Sequence, residues 1–175
     1  MEPPCFSRAA PKAKFTKMDL AGHTEGLFLD DPEYALWLPH FSGDGRWVAF
    51  LAAKGETSRI FAAPFRKGRV PRNEWISLSD GPWDDKPYFA PDGRTIFFVS
   101  TRDAYWCIWG QRLGPDMHPS GSPFAVYHWH QRRRSLTNVP IVSFQTAVGP
   151  HRIAFNQAEL TGNIWLLEPA KSGRQ

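Results

Sequence analysis

Residue types that could do chemistry are present in this chain, but their spacing converges on no obvious reaction. Six histidines, two cysteines and 17 acidic residues are spread over 175 positions. A catalytic serine would need a sharp strand-to-helix turn of the G-x-S-x-G kind. Gly121-Ser122-Pro123 sits in a loop without that context, so no nucleophile is assigned and the expectation is no catalytic residue and no enzyme. A metal would need three or four ligands brought to one point. His118, His128 and His130, with Asp116, offer imidazoles and a carboxylate. Yet His128 and His130 alternate around Trp129 on one expected strand and share a face, so a further ligand must come from elsewhere. The reading is no metal and no cofactor, with these groups as satisfied or exposed strand histidines. Cys5, in a Pro-rich tail, and Cys107, inside an expected strand, give neither a disulfide framework nor a ligand quartet. Cys107 reads as buried and inert.

Gln131-Arg132-Arg133-Arg134 is the one dense basic cluster, with Tyr127 and Trp129 nearby as possible stacking surfaces. A single short cluster at the exit of a strand reads as a solvated connection, so nucleic acid is not the expected partner. Net charge is +4 and the sequence pI about 9.3, but the charge is spread over many strand ends. The first 14 residues lack an apolar targeting core, and no apolar run approaches membrane-spanning length. A soluble chain carrying no export signal of its own is expected.

The elements that would carry these side chains are strands in a repeat. In Lys86 to Arg112, Pro87 to Phe89 is extended, Pro91-Asp92-Gly93-Arg94 is a turn, and Thr95 to Ser100 is β-branched and aromatic, which makes a hairpin. Tyr105 to Gln111 is a third strand. The same pattern occurs 48 residues earlier: Pro39, Phe41, Asp44, Gly45, Arg46 and Phe50 match Pro87, Phe89, Asp92, Gly93, Arg94 and Phe98 without a gap. A period in the forties built from strands marks a propeller blade or related unit. Both faces of the second strand are apolar, Thr95, Phe97 and Val99 on one side and Ile96 and Phe98 on the other, so the sheet must be covered twice. With 42% hydrophobic and 14% aromatic residues, the chain can bury a real core.

The expected organisation is a disordered tail at 1–13, the outer strands of a partial blade at 14–36, and a blade at 37–80. A second blade follows at 81–130 with a loop insertion at 113–123, then a partial last blade at 131–169 and a tail at 170–175. In the last unit the strands are expected at Ile141 to Ala147, Arg152 to Asn156 and Asn163 to Leu167. The fold class is therefore all-β: a partial β-propeller of two complete four-stranded blades with partial blades at each end.

The words PHFSGDGRWVAFLA and PYFAPDGRTIFFVSTRDAYWCIWGQRL resemble the TolB-like, WD-repeat-like β-propeller repeat, over about Phe15 to Pro169. Gly43 departs from the pattern, standing where the family prefers Pro, and the last unit lacks the Asp-Gly turn. The closing AFNQAELTGNIWLLEP resembles the end of propellers found in large bacterial multidomain proteins, which implies the C-terminal blades of a longer propeller. In such repeats the segment before the innermost strand lies at the channel mouth, so the resemblance places Trp37, His40, Trp83, Asp84 and Asp85 on the channel rim. The competing reading is that the carboxylates cap turn N–H groups. What the resemblance implies is a non-catalytic module for protein or peptide binding, the sensing or docking part of a larger protein. The alternative is the accessory, substrate-gating propeller of a prolyl-oligopeptidase-like serine peptidase. Open blade edges would also permit self-association.

Overall fold

The computed structural model describes residues 13–167. The tails expected at 1–13 and 170–175 lie, Ala13 apart, outside the described residues. Those residues form β-strands joined by turns and short 3-10 segments, with no α-helix among them. The strands are β1 (Phe15–Asp19), β2 (Thr24–Leu29), β3 (Ala35–Phe41), β4 (Trp47–Lys54), β5 (Thr57–Pro64), β6 (Ile76–Ser77), β7 (Asp84–Phe89), β8 (Thr95–Ser100), β9 (Cys107–Arg112), β10 (Phe124–Tyr127), β11 (Thr146–Val148) and β12 (Ile153–Phe155). They make two four-stranded antiparallel sheets, β3-β4-β5-β6 and β7-β8-β9-β10, flanked by the two-stranded pairs β1-β2 and β11-β12. This is a partial propeller with two full blades.

Strand alternation explains how the blades stack. Along β4, Ala49 and Leu51 join a core shared with Phe89, Ile96 and Phe98 of the next blade, whereas Val48, Phe50 and Ala52 join Phe28 and Leu29 of β2. Period-two geometry sends neighbours to opposite faces, and both faces are dry. The second blade repeats the device: Ile96 and Phe98 face the first blade, while Val99 and Ile108 pack with Leu136 and Phe144 of the last unit. Phe50 and Phe98, equivalent in the repeat, are both fully enclosed.

The Asp-Gly turns are hairpin geometry. Gly45 and Gly93 adopt left-handed φ of 68° and 66°, and Asp44 and Asp92 accept the backbone N–H of Arg46 and Arg94 at 3.1 and 2.9 Å. The absence of Pro at position 43 also has a steric reason. A Cβ at Gly43 would lie 2.5 Å from the carbonyl oxygen of Pro91, because the hairpin tips of the two blades touch there.

The last unit departs from expectation. Ile141–Ser143 is a 3-10 turn rather than a strand, and the strand begins only at Thr146. Asn163 to Leu167 forms no strand, and Ile164, Trp165, Leu166 and Leu167 are almost wholly exposed. A strand persists only when it pairs with another, and among the described residues β12, just three residues long, is paired with β11 alone.

Candidate functional site

The first strands of the two blades carry the same local distortion. β3 pairs with β4 in register up to Trp37↔Leu51 and resumes at His40↔Ala49; β7 pairs with β8 up to Asp85↔Val99 and resumes at Tyr88↔Phe97. Leu38-Pro39 and Lys86-Pro87 are thus the extra residues of two bulges at one repeat position. Leu38 and Lys86 sit at positive φ, 56° and 54°, where a residue with a Cβ is strained. Proline follows each, and proline, lacking an N–H, fits where a ladder is interrupted. Such strain persists only when the surroundings impose it, and it collects at functional sites.

The bulges frame a shallow cavity of about 90 Å³, lined by Leu38, Pro39 and His40 of β3 and Lys86, Pro87 and Tyr88 of β7. The rings of His40 and Tyr88 meet edge to face, 4.9 Å apart. Burial holds the His40 imidazole below its usual range, against the Phe41 backbone carbonyl, which as an acceptor favours the charged form. Burial likewise pushes the Asp85 carboxyl up, opposed by the Lys86 N–H, which donates to it at 2.7 Å.

The residues expected on the channel rim therefore divide. His40 lines the cavity, and Trp37, 42% exposed, flanks the β3 bulge. Trp83 is half-buried, its carbonyl accepting the Thr101 N–H at 3.1 Å. Asp85 is buried beside the β7 bulge. Asp84 opens β7. It is fully enclosed, its Oδ2 accepts the Gly81 N–H at 2.8 Å, and its Oδ1 lies 3.6 Å from the Arg102 Nη2. Arg102 is held over the rings of Trp109 and Phe98 at 4.9 and 5.4 Å. Asp84 thus accepts a turn N–H and faces a guanidinium.

A different group of side chains comes together at the opposite edge of the second blade. β10 ends at Tyr127, after a register shift between Ala125 and Tyr127, so His128 and His130 do not alternate along a strand. Both turn toward residues 101–106, which join β8 to β9. The Nε2 atoms of His128 and His130 both reach the Asp103 Oδ2, that of His130 at 2.9 Å, and the Cys107 Sγ lies 3.5 Å from the His130 Nε2. Burial would raise the Asp103 carboxyl, but the His130 hydrogen bond and the nearby His128 hold it below the usual carboxylate range. Burial pushes the Cys107 thiol up to about 11, against a hydrogen bond from the Trp129 backbone. The sequence pointed to His118 and Asp116 as companions of these histidines; in the structure those two pair with each other, at 3.1 Å. The signal that was available is register: with Phe124 opposite Gly110, the residues after Tyr127 arrive beside Cys107. Nearby, Arg133 and Arg134 of the basic run share Glu159, at 2.5 and 3.2 Å, so that run is partly neutralised.

No protein-family model and no curated protein matches this sequence. Among solved structures, TolB from Acinetobacter baumannii is similar at 16% identity and a TM-score of 0.53, over 81% of this chain and 34% of that one. A protein assigned as TolB from Agrobacterium tumefaciens matches at 22% identity and a TM-score of 0.46, over 60% of this chain and 34% of that one. A puromycin hydrolase mutant in complex with PGG matches at 21% identity and a TM-score of 0.47, over 64% of this chain and 16% of that one. The chain thus spans about a third of the length of the two TolB structures. Its sheet order, its two-faced blades and its likeness to the Acinetobacter structure together give it the fold of part of a TolB-like β-propeller.

Proposed function

We propose that this propeller segment is a non-catalytic binding module that takes an extended peptide segment of a partner protein against the bulged strands β3 and β7. The observation that carries this reading is the pair of strained residues, Leu38 and Lys86, at one repeat position on adjacent blades, facing a common cavity. A bulge withdraws backbone carbonyls from the ladder and leaves them to an incoming chain. Around them stand an aromatic ring (Tyr88), an imidazole that burial keeps neutral (His40) and one ammonium (Lys86), which together suit an apolar or aromatic side chain beside a carboxylate. The test is a titration of isotope-labelled protein with a mixed hexapeptide library, read at the indole N–H of Trp37 and the amides of Leu38, His40, Lys86 and Tyr88. Saturable shifts at those positions, lost in Lys86→Glu, are expected. Saturable shifts elsewhere, or none up to about millimolar peptide, would refute the reading.

Self-association is a second reading with its own observation. Ile164, Trp165, Leu166 and Leu167 expose four adjacent apolar side chains, and among the described residues β12 pairs along one edge and leaves the other open. An apolar strand beside an open edge favours pairing between copies. Sedimentation that stays monomeric at all concentrations, and is unaltered by Trp165→Ser, would remove it.

A further inference from the structure

We propose that Asp103, Cys107, His128 and His130 bind one divalent transition-metal ion of the zinc type, fastening residues 101–106 to the segment that leaves β10. Each of the four contributes one candidate ligand atom, and all four atoms lie within 4.8 Å of one another. The donor set is a thiolate, two imidazoles and a carboxylate. Thiolate and imidazole donors select zinc and its neighbours over calcium or magnesium, which prefer oxygen throughout.

The geometry agrees with the chemistry. With metal–sulfur and metal–nitrogen bonds of about 2.3 and 2.0–2.1 Å, a tetrahedral site separates sulfur from nitrogen by about 3.5 Å. The Cys107 Sγ to His130 Nε2 distance is 3.5 Å. The two imidazoles now contact the Asp103 Oδ2 directly, the His130 nitrogen at 2.9 Å, and a tetrahedral ion would open those separations to about 3.3 Å. That movement lies within reach of a carboxylate in a turn and histidines beyond a strand end. Cys107 gives up its thiol proton to solvent, and each imidazole releases the Nε2 proton that it directs at Asp103, to its own Nδ1 if that is bare and otherwise to solvent, so that Nε2 is free to ligate. The charges of thiolate and carboxylate then cancel that of the ion.

The supporting residues restrict the ligands. Cys107 opens β9 and is fixed by pairing with Ser100. The Tyr105 ring stacks on His130 at 4.2 Å, and Trp109 leans on His128 at 5.7 Å. Four protein ligands leave no open position, so the role assigned to the ion is structural, not catalytic. The repeat supplies an internal contrast: the first blade has Gly55 and Arg59 where the second has Asp103 and Cys107.

The experiment is a cobalt(II) titration of the full chain carrying Cys5→Ser, so that any sulfur signal belongs to Cys107. Expected are one equivalent bound, a thiolate-to-cobalt charge-transfer band, visible bands of four-coordinate strength, and displacement by zinc. His128→Ala/His130→Ala, which changes two exposed side chains, should weaken binding by about a hundredfold or more. Cys107→Ser should abolish the charge-transfer band. If Cys107→Ser does not fold, the double histidine variant and Asp103→Asn carry the test alone. No binding, binding without a sulfur band, or binding unchanged in the double histidine variant would overturn the proposal.

Discussion

The two full blades share one register through their first three strands, and a difference at the hairpin between the second and third strands shows where this fold makes room for chemistry. In the first blade the β4-β5 ladder pairs Ala52 with Arg59 and then continues through Ala53↔Ser58 and Lys54↔Thr57 to a tight turn at Gly55. In the second, the equivalent pair Ser100↔Cys107 is the last, and residues 101–106 leave the ladder. The released residues are the ones with functional groups at work. Arg102 folds back over Phe98 and Trp109 toward the buried Asp84, and Asp103 meets His128 and His130. The apolar positions cannot vary in this way, because each is claimed by a neighbouring blade.

The contrast is tested most strongly at Lys54 and Arg102, which occupy one repeat position. Lys54 pairs with Glu33 at the surface, whereas the side chain of Arg102 is 16% exposed and faces Asp84, which is 0% exposed. Breaking a buried pair leaves an uncompensated charge, so Arg102→Ala should cost about 3–5 kcal/mol by urea unfolding. Lys54→Ala should leave the midpoint nearly unchanged. Equal effects at the two positions would mean that the second hairpin carries no buried charge network.

Gly43 and Pro91 are likewise one repeat position, and here the blades touch each other. With the Pro91 carbonyl 2.5 Å from where a Cβ would stand, Gly43→Ala must push two hairpin tips apart and should cost about 1–3 kcal/mol. Pro91→Ala keeps that carbonyl and removes only ring atoms from an exposed residue, so a smaller loss is expected. The same unfolding assay reads both. If the two losses are the same, the tips do not constrain one another.

These positions also show what the sequence makes legible. The Asp-Gly turns, the two-faced strand Thr95–Ser100 and the 48-residue register depend on local rules, and local rules are written in the order of residues. The strand expected at Asn163 to Leu167 failed because an apolar run such as Ile164 to Leu167 states a tendency to pair and not the presence of an edge. The cluster around Asp103 was missed for a related reason. Its four members come from a turn, the first residue of a strand and a segment beyond a strand end, and they meet only through the β9-β10 register. A carboxylate beside a turn glycine points wherever the unpaired N–H lies, and that of Asp84, expected on the rim, turns to Gly81.

The smallest expected effect is also the one that separates the two bulges. Asp85 belongs to the β7 bulge and His40 to that of β3, and burial acts on both by disfavouring the charged form. The consequences for pH have opposite signs. For Asp85 the folded value is raised above 3.8, so the native state binds more protons than the unfolded one between 3.8 and that value. Its contribution to stability therefore grows as pH falls through that window. For His40 the folded value is lowered below 6.5, so the unfolded state binds more protons there, and stability is lost as pH falls from 6.5. Other carboxylates, such as Glu33 and Glu159, are held below their usual range and also lose stability toward acid, so only differences between variants are informative. Unfolding free energies of the parent chain, Asp85→Asn and His40→Gln, measured from pH 7.5 to 4, should show His40→Gln gaining on the parent below 6.5 and Asp85→Asn falling behind it in the acid range. Curves that stay parallel would mean that neither bulge is dry enough to discriminate between charged and neutral forms, and the cavity between them would then be a solvated groove in which Lys86 and His40 bind far more weakly than in a desolvated pocket.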